Sequence, residues 1–233
     1  MITASSNRLK HMLTPLAHDH DFFRRDPANL YWALAPHLLS QHTDCACALA
    51  SASMALNALR SLGGHHKVGD IISEQRLLQE MADDHWHAAF QAGIGDGLEL
   101  ARYGDDLPRA LGLFALQDRW SVSVHRMQAA DAAAVERFRA DLVAMQQAAD
   151  RLLIANFHLD AFYGDGVDIG HYSPIGAYDT AQDRVLILDV YKPDYEPVWA
   201  PAAHLAQAMS RHDDRGKPRG YVLISRKPAA LAR

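Results

Sequence analysis

The sequence predicts an α+β protein, with helices concentrated in the first half and an antiparallel sheet in the second. Three observations predict it. Apolar residues recur at helical spacing over residues 47–62 and 131–150. Short apolar and β-branched runs crowd the chain after Asp150, at residues 151–158, 171–178, 184–191 and 220–225. Two of these runs are separated only by the turn residues 179–183, which suits an antiparallel pair and leaves no room for a crossover.

In chain order, residues 1–28 mix charge and histidine and break at Asp26-Pro27. Residues 29–39 are apolar and contain Pro36, so one or two short helices lead into the stretch Gln41–Ser51. From Cys47 onward, Leu49, Ser53, Leu56 and Leu59 repeat at helical spacing within Ala-rich, nearly uncharged sequence. Such a helix is buried on most sides, and Gly63-Gly64 ends it. Residues 73–90 read as a helix capped by Ser73. Gly93–Gly97 lacks the Gly-Lys-Ser/Thr ending of a phosphate loop and no strand leads into it, so it reads as a turn. Short helices are expected at 98–103 and 107–116, and a strand at 120–127. Residues 131–150 form an amphipathic helix with Val135, Phe138, Leu142 and Met145 on one face. The strand 151–158 precedes a Gly- and Asp-rich loop, 163–170. After the two paired strands comes a Pro-rich stretch with Trp199, then a helix at 202–210, a turn at 213–218 and a last strand. No repeat or low-complexity linker divides the chain. One domain spanning 1–233 is expected, its two lobes being roughly 1–130, helical, and 131–233, sheet-rich.

Composition narrows the function. Of 233 residues, 49% are apolar and 22% charged, with a formal net charge of −5, which gives no reason to expect a nucleic-acid partner. No apolar run reaches membrane-spanning length, and residues 1–10 lack the apolar core of a signal peptide. A cytoplasmic protein without a membrane partner is expected. Cys45 and Cys47 are the only cysteines. Residues two apart are poorly placed for a disulfide, and a paired-CxxC metal site cannot be built from them.

A thiol attacks as its thiolate, which a helix N-terminus and a nearby imidazolium both favour. Cys47 has the first by position. Fourteen histidines compete to supply the second. His171 stands out, because folding the two late strands about Thr180 and Ala181 sets it opposite, or nearly opposite, Asp189. A carboxylate ending the apolar run Val185–Asp189 needs such a partner. The pair supplies a base and the group that orients it. Gln41, six residues before Cys47, can donate its amide N–H₂ to an oxyanion together with the backbone N–H of Cys47. Cys45 can serve as a second acyl acceptor, as a resolving thiol or as loop packing, with packing expected. The order Gln, Cys, His, Asp is that of papain-like cysteine enzymes.

The stretches 47–59, 170–178, 185–190 with Pro197 and Trp199, and 219–225 resemble the phytochelatin synthase family, in order and spacing. The resemblance covers roughly residues 28–62 and 131–226. It implies a papain-like fold, with a helical lobe carrying the nucleophile helix packed on a sheet lobe carrying His171 and Asp189. It implies catalysis by Cys47, His171 and Asp189, with Gln41 in the oxyanion hole. Cys47 would attack the Cys–Gly amide of glutathione and release glycine. Water would resolve the thioester to γ-glutamylcysteine, or a second glutathione would resolve it to phytochelatin. Gly170, Lys192 and Arg219 would bind the substrate. No cofactor or resident metal is implied for acylation; cadmium or zinc, as the glutathione thiolate, would activate transpeptidation. A homodimer is compatible with the resemblance. The chain departs from the family pattern at Ala48, usually Gly, and at Lys192 and Leu159, each usually Arg. It has no Cys-rich C-terminal region, which resembles the short bacterial members and implies more hydrolysis.

Two rivals stand beside this reading. One is a cysteine acyltransferase or amidase taking another acyl donor, motivated by Lys192 and Leu159. The other is a non-enzymatic, His-rich metal-binding protein using His65, His66, His85 and His87. His85 and His87 lie two apart, so on a helix they face different sides, and surface roles are expected for them.

Overall fold

The computed structural model describes residues 12–27, 29–64, 67–82, 84–91, 98–129 and 131–228. The chain opens with β1 (Thr14–Pro15), α1 (Phe22–Arg25) and α2 (Asn29–Leu34), whose last turn tightens at Pro36 into a 3₁₀ turn, Ala35–His37. Next come α3 (Cys47–Leu62), α4 (Glu74–Met81), α5 (Asp84–Gln91) and α6 (Leu100–Leu113). Then follow β2 (Trp120–Arg126), α7 (Ala132–Ala148), β3 (Arg151–His158), α8 (Leu159–Tyr163), β4 (Gly170–Asp179) and β5 (Arg184–Ile187). The chain closes with β6 (Val198–Pro201), α9 (Ala202–Met209) and β7 (Gly220–Arg226). The expected α+β class is what the chain adopts.

The strands form one seven-stranded antiparallel sheet in the order β1-β6-β5-β4-β3-β7-β2. Both outer strands come from the first 126 residues, so the helical half of the chain closes the two edges of the sheet. β4 lies in the middle and is buried at every residue. Side chains alternate between faces, so burial along the whole strand means that both faces are covered. α3 packs on β4, while α7 and α9 pack on β3.

α3 shows why this sequence makes a central helix. Cys47 to Arg60 are all buried, as expected for an Ala-rich helix without a polar face. Three of its polar residues serve the segment beyond the helix. The Ser53 hydroxyl donates to Ile72 O at 2.5 Å, and the Asn57 amide both donates to Ile72 O (2.8 Å) and accepts from Ile72 N (3.0 Å). Arg60 donates to Asp70 O at 2.7 Å. These bonds satisfy groups that would otherwise be buried without partners.

Several elements differ from expectation for local reasons. The single helix expected over 73–90 is two. Ser73 does cap it, accepting from Arg76 N at 3.1 Å, but Ala82 enters the left-handed region (φ 46°) and ends α4. The two short helices expected at 98–103 and 107–116 are one. Its buried face, Tyr103, Leu107, Ala110 and Leu111, carries α6 through Pro108 despite the missing N–H. β1 and β6 were not expected, and both lie in Pro-containing stretches; they are two- and four-residue strands, where few ladder bonds are at stake. β5 stops at Ile187 rather than running to 191. Gly93–Gly97 lies outside the described residues. Among the described residues, no helix is long and apolar enough to cross a membrane.

Candidate active site

The site forms where α3 begins against the middle of the sheet. The N-cap position of α3 is Ala46, which offers no side-chain cap. The positive end of the helix therefore faces its first residue, Cys47, without a competing side-chain acceptor. Cys47 is buried, 4% exposed.

His171 is the second residue of β4, opposite Phe157 of β3, whose ring stands edge-on to the imidazole at 5.5 Å and 85°. Asp189 reaches it by a route that differs from the expected pairing. Gly176 makes a bulge between Ile175 and Ala177, shifting the register of β4 on β5 by one residue. Beyond β5, Leu188 N donates to Pro174 O at 3.0 Å. This register sets Asp189 beside Ser173, a diagonal neighbour of His171 rather than its opposite. The contact forms nonetheless: His171 Nε2 and Asp189 Oδ1 are 2.9 Å apart, at 3% and 0% side-chain exposure. Ser173 Oγ lies 3.1 Å from the same nitrogen. Cys47 also acts on the ring as a hydrogen-bonding neighbour. Burial alone would depress the imidazole. The Asp189 charge and hydrogen bond, with Cys47, outweigh burial and push it up to about 10. An imidazolium is therefore the favoured state next to the thiol at neutral pH.

Asp189 is fully satisfied. Oδ1 also accepts from Tyr191 N at 2.8 Å, and Oδ2 accepts from the Tyr163 hydroxyl at 2.7 Å. Tyr163 and Ser173 are site residues that sequence reasoning missed. Tyr163 stood at the edge of a stretch read only as a Gly- and Asp-rich loop, with no spacing that ties it to Asp189. Ser173 follows His171 by two and so shares its face, a signal that was available.

Gln41 stands beside the site but is otherwise engaged. Both hydrogens of its amide nitrogen are directed to carbonyls of its own loop, Thr43 O at 2.8 Å and Asp44 O at 2.9 Å. Cys45 is also buried, and its sulfur-bearing side chain lines the pocket with His171. Burial, then the neighbouring Cys47 and Asp44, push its thiol up, which weakens it as a nucleophile.

The pocket in front of His171 has a volume of about 260 Å³ and is walled by Gln41, Asp44, Leu159, Ile169, Tyr191 and Tyr195, among others. A second cleft of about 440 Å³ adjoins it, sharing Val167, Asp194 and Tyr195, and adds Asp165 and Glu196. Among the described residues, no lysine or arginine lines either.

The three residues expected to bind substrate are spread. Gly170 opens β4 directly before His171, paired with His158. Lys192 is exposed on the loop after Tyr191 and does not line the pocket. Arg219 is buried just before β7, two strands away from β4, against a separate small cavity with Glu99, Asn156 and Asp213. Among the described residues, no three His, Cys, Asp or Glu side chains converge to hold a metal. His65 and His66, and the side chain of His85, lie outside the described residues.

A buried cysteine, histidine and aspartate, assembled at a helix start on the central strand of an antiparallel sheet, define an α+β protein with the parts of a thiol acyl-transfer site. Comparison with known proteins makes this specific. Residues 5–221 match the family model for phytochelatin synthase, and the chain belongs to that family. It is 39% identical over 102 residues to "Glutathione gamma-glutamylcysteinyltransferase 1" of Triticum aestivum, which is 43% of this chain and 20% of that protein. Its identity to the protein of the same name from Arabidopsis thaliana is 39% over 93 residues, 40% of this chain and 19% of that one. To "Glutathione gamma-glutamylcysteinyltransferase" of Schizosaccharomyces pombe it is 29% over 90 residues, 38% of this chain and 21% of that one. The matched stretch thus spans about a fifth of the length of these curated relatives.

Proposed function

We propose that the protein is a papain-like cysteine acyltransferase that takes its acyl group from glutathione. The observation that carries this reading is the buried His171, held by Asp189 at 2.9 Å and bonded to Cys47 at the start of α3. Cys47, as thiolate against the His171 imidazolium, attacks the Cys–Gly carbonyl. His171 then gives its proton to the departing glycine amine. Asp189 holds the imidazole with Nδ1 toward the sulfur. The Cys47 N–H stabilises the oxyanion, and Gln41 joins it by exchanging one of its two carbonyl partners for the substrate. Water resolves the thioester to γ-glutamylcysteine. The α-amine of a second glutathione, free or as its cadmium or zinc thiolate, resolves it to phytochelatin. Acylation itself calls for no cofactor. The names of the relatives support this substrate.

A second reading keeps the chemistry and changes the donor. The pocket and its adjoining cleft present Asp44, Asp165, Asp194 and Glu196, with Leu159 as an apolar wall and, among the described residues, no lining lysine or arginine beside the His171 of the site itself. Glutathione carries two carboxylates, which such a wall repels. Mass spectrometry of the purified protein after incubation with glutathione decides between the two. A γ-glutamylcysteinyl adduct on Cys47 with free glycine supports glutathione. Neither product, from protein whose Cys47 is readily alkylated, supports another donor.

A further inference from the structure

We infer that Tyr163 is a positioning residue for the cysteine–histidine pair, acting through Asp189; this rests on the reading of Cys47, His171 and Asp189 as the acyl-transfer site. Among the described residues the Tyr163 hydroxyl is the sole donor to Asp189 Oδ2, at 2.7 Å, while Oδ1 serves His171 and Tyr191 N. Asp189 is 0% exposed, so in the folded protein its oxygens depend on protein donors rather than on bulk solvent. The three donors together fix both oxygens and hence the plane of the carboxylate, and that plane aims the imidazole. Burial and the Asp189 charge push the phenol well above its ordinary range, so it remains a donor throughout the working pH.

The ring of Tyr163 is itself fixed. It ends α8, where Gly164 turns the chain in the left-handed region (φ 67°). Phe162 meets it edge-on at 4.8 Å, and Tyr195 lies flat on it at 4.0 Å and 3°. Tyr195 lines both the pocket and the adjoining cleft, and its hydroxyl donates to Asp165 at the cleft wall. A molecule seated in the cleft therefore bears on Tyr195, Tyr195 on Tyr163, and Tyr163 on Asp189.

Tyr163→Phe tests this, since it keeps the ring and the stack and removes only the donor. The readout is the rate at which iodoacetamide alkylates Cys47 across pH, in a Cys45→Ser background, with melting temperature followed in parallel. Alkylation needs no acyl donor, so the outcome is independent of whether glutathione is the substrate. The expected result is a roughly tenfold slower reaction at neutral pH. The acid limb moves to higher pH, because an imidazolium whose orienting carboxylate is no longer held in plane stabilises the thiolate less well. In an Asp189→Asn background the same Phe substitution should have little further effect, since the interaction runs through the carboxylate. An unchanged pH profile, whether or not the melting temperature falls, would overturn the inference. So would equal slowing in the Asp189→Asn background.

Discussion

At the scale of the residue, the two thiols separate cleanly. Cys47 has the helix start and the imidazole; Cys45 lines the pocket with a thiol pushed up by burial and by its neighbours. Cys47→Ser should abolish turnover while leaving the fold intact, and Cys45→Ser should keep most of it. Product assays on both purified variants check this, and complete loss with Cys45→Ser would contradict it. Glu74 supplies a pH prediction. Burial pushes its carboxyl from 4.5 up to about 7, although His42 N donates to it at 3.4 Å. The folded state thus holds the proton more tightly than the unfolded one. Its contribution to stability is fully present below about pH 4.5 and is lost as the pH rises through 7. Glu74→Gln mimics the protonated form. Its thermal unfolding should match the parent at pH 4 and exceed it above pH 7, by on the order of 1–3 kcal/mol or a few degrees. Equal melting temperatures at pH 8 would show that the carboxyl ionises without cost.

At the scale of the element, α3 is the part most exposed to core damage. Leu56 is fully buried on a helix with no solvent face. Leu56→Ala should cost about 2–5 kcal/mol, read from denaturant midpoints, and a loss under 1 kcal/mol would mean that the helix repacks freely. This helix was legible in sequence because its apolar spacing, its Gly63-Gly64 stop and its lack of charge agree. So was α7, whose Asp131 cap accepts from Ala134 N at 2.7 Å. The His171–Asp189 contact was legible as a pair but not as a register. A turn position predicts which strands meet, whereas the bulge at Gly176 depends on space: a Cβ there would come within 2.9 Å of Leu188. Chain breaks inside helical patterns were the least legible. The left-handed Ala82 has no signature of its own, and Pro108 looked like a stop that tertiary packing overrides. Tyr163 could not be read at all, because only the fold brings α8 to the far end of β5.

At the scale of the whole molecule, the sheet binds the two halves of the chain together. β2 pairs along its full length with β7, and β1 pairs with β6. Gly220 makes the first of these joins possible, since a Cβ there would fall 2.0 Å from His125 O. Neither half keeps its sheet edges without the other. Calorimetry should therefore record a single transition whose calorimetric and van't Hoff enthalpies agree, and two resolved transitions would show that the halves unfold separately.

The central place of β4 has a further consequence, for how such a site changes over time. His171 sits on the strand furthest from either edge, while the other pocket walls come from the segments 41–45, 159–169 and 191–195 that lie outside the sheet. Backbone amides of β4 should exchange with solvent slowest, and those of the wall segments fastest. Insertions and substitutions in the walls can then accumulate without moving His171. A scaffold built this way can change what its pocket accepts by rewriting surface segments alone, which makes ligand choice the most evolvable property of the molecule and the position of His171 the least.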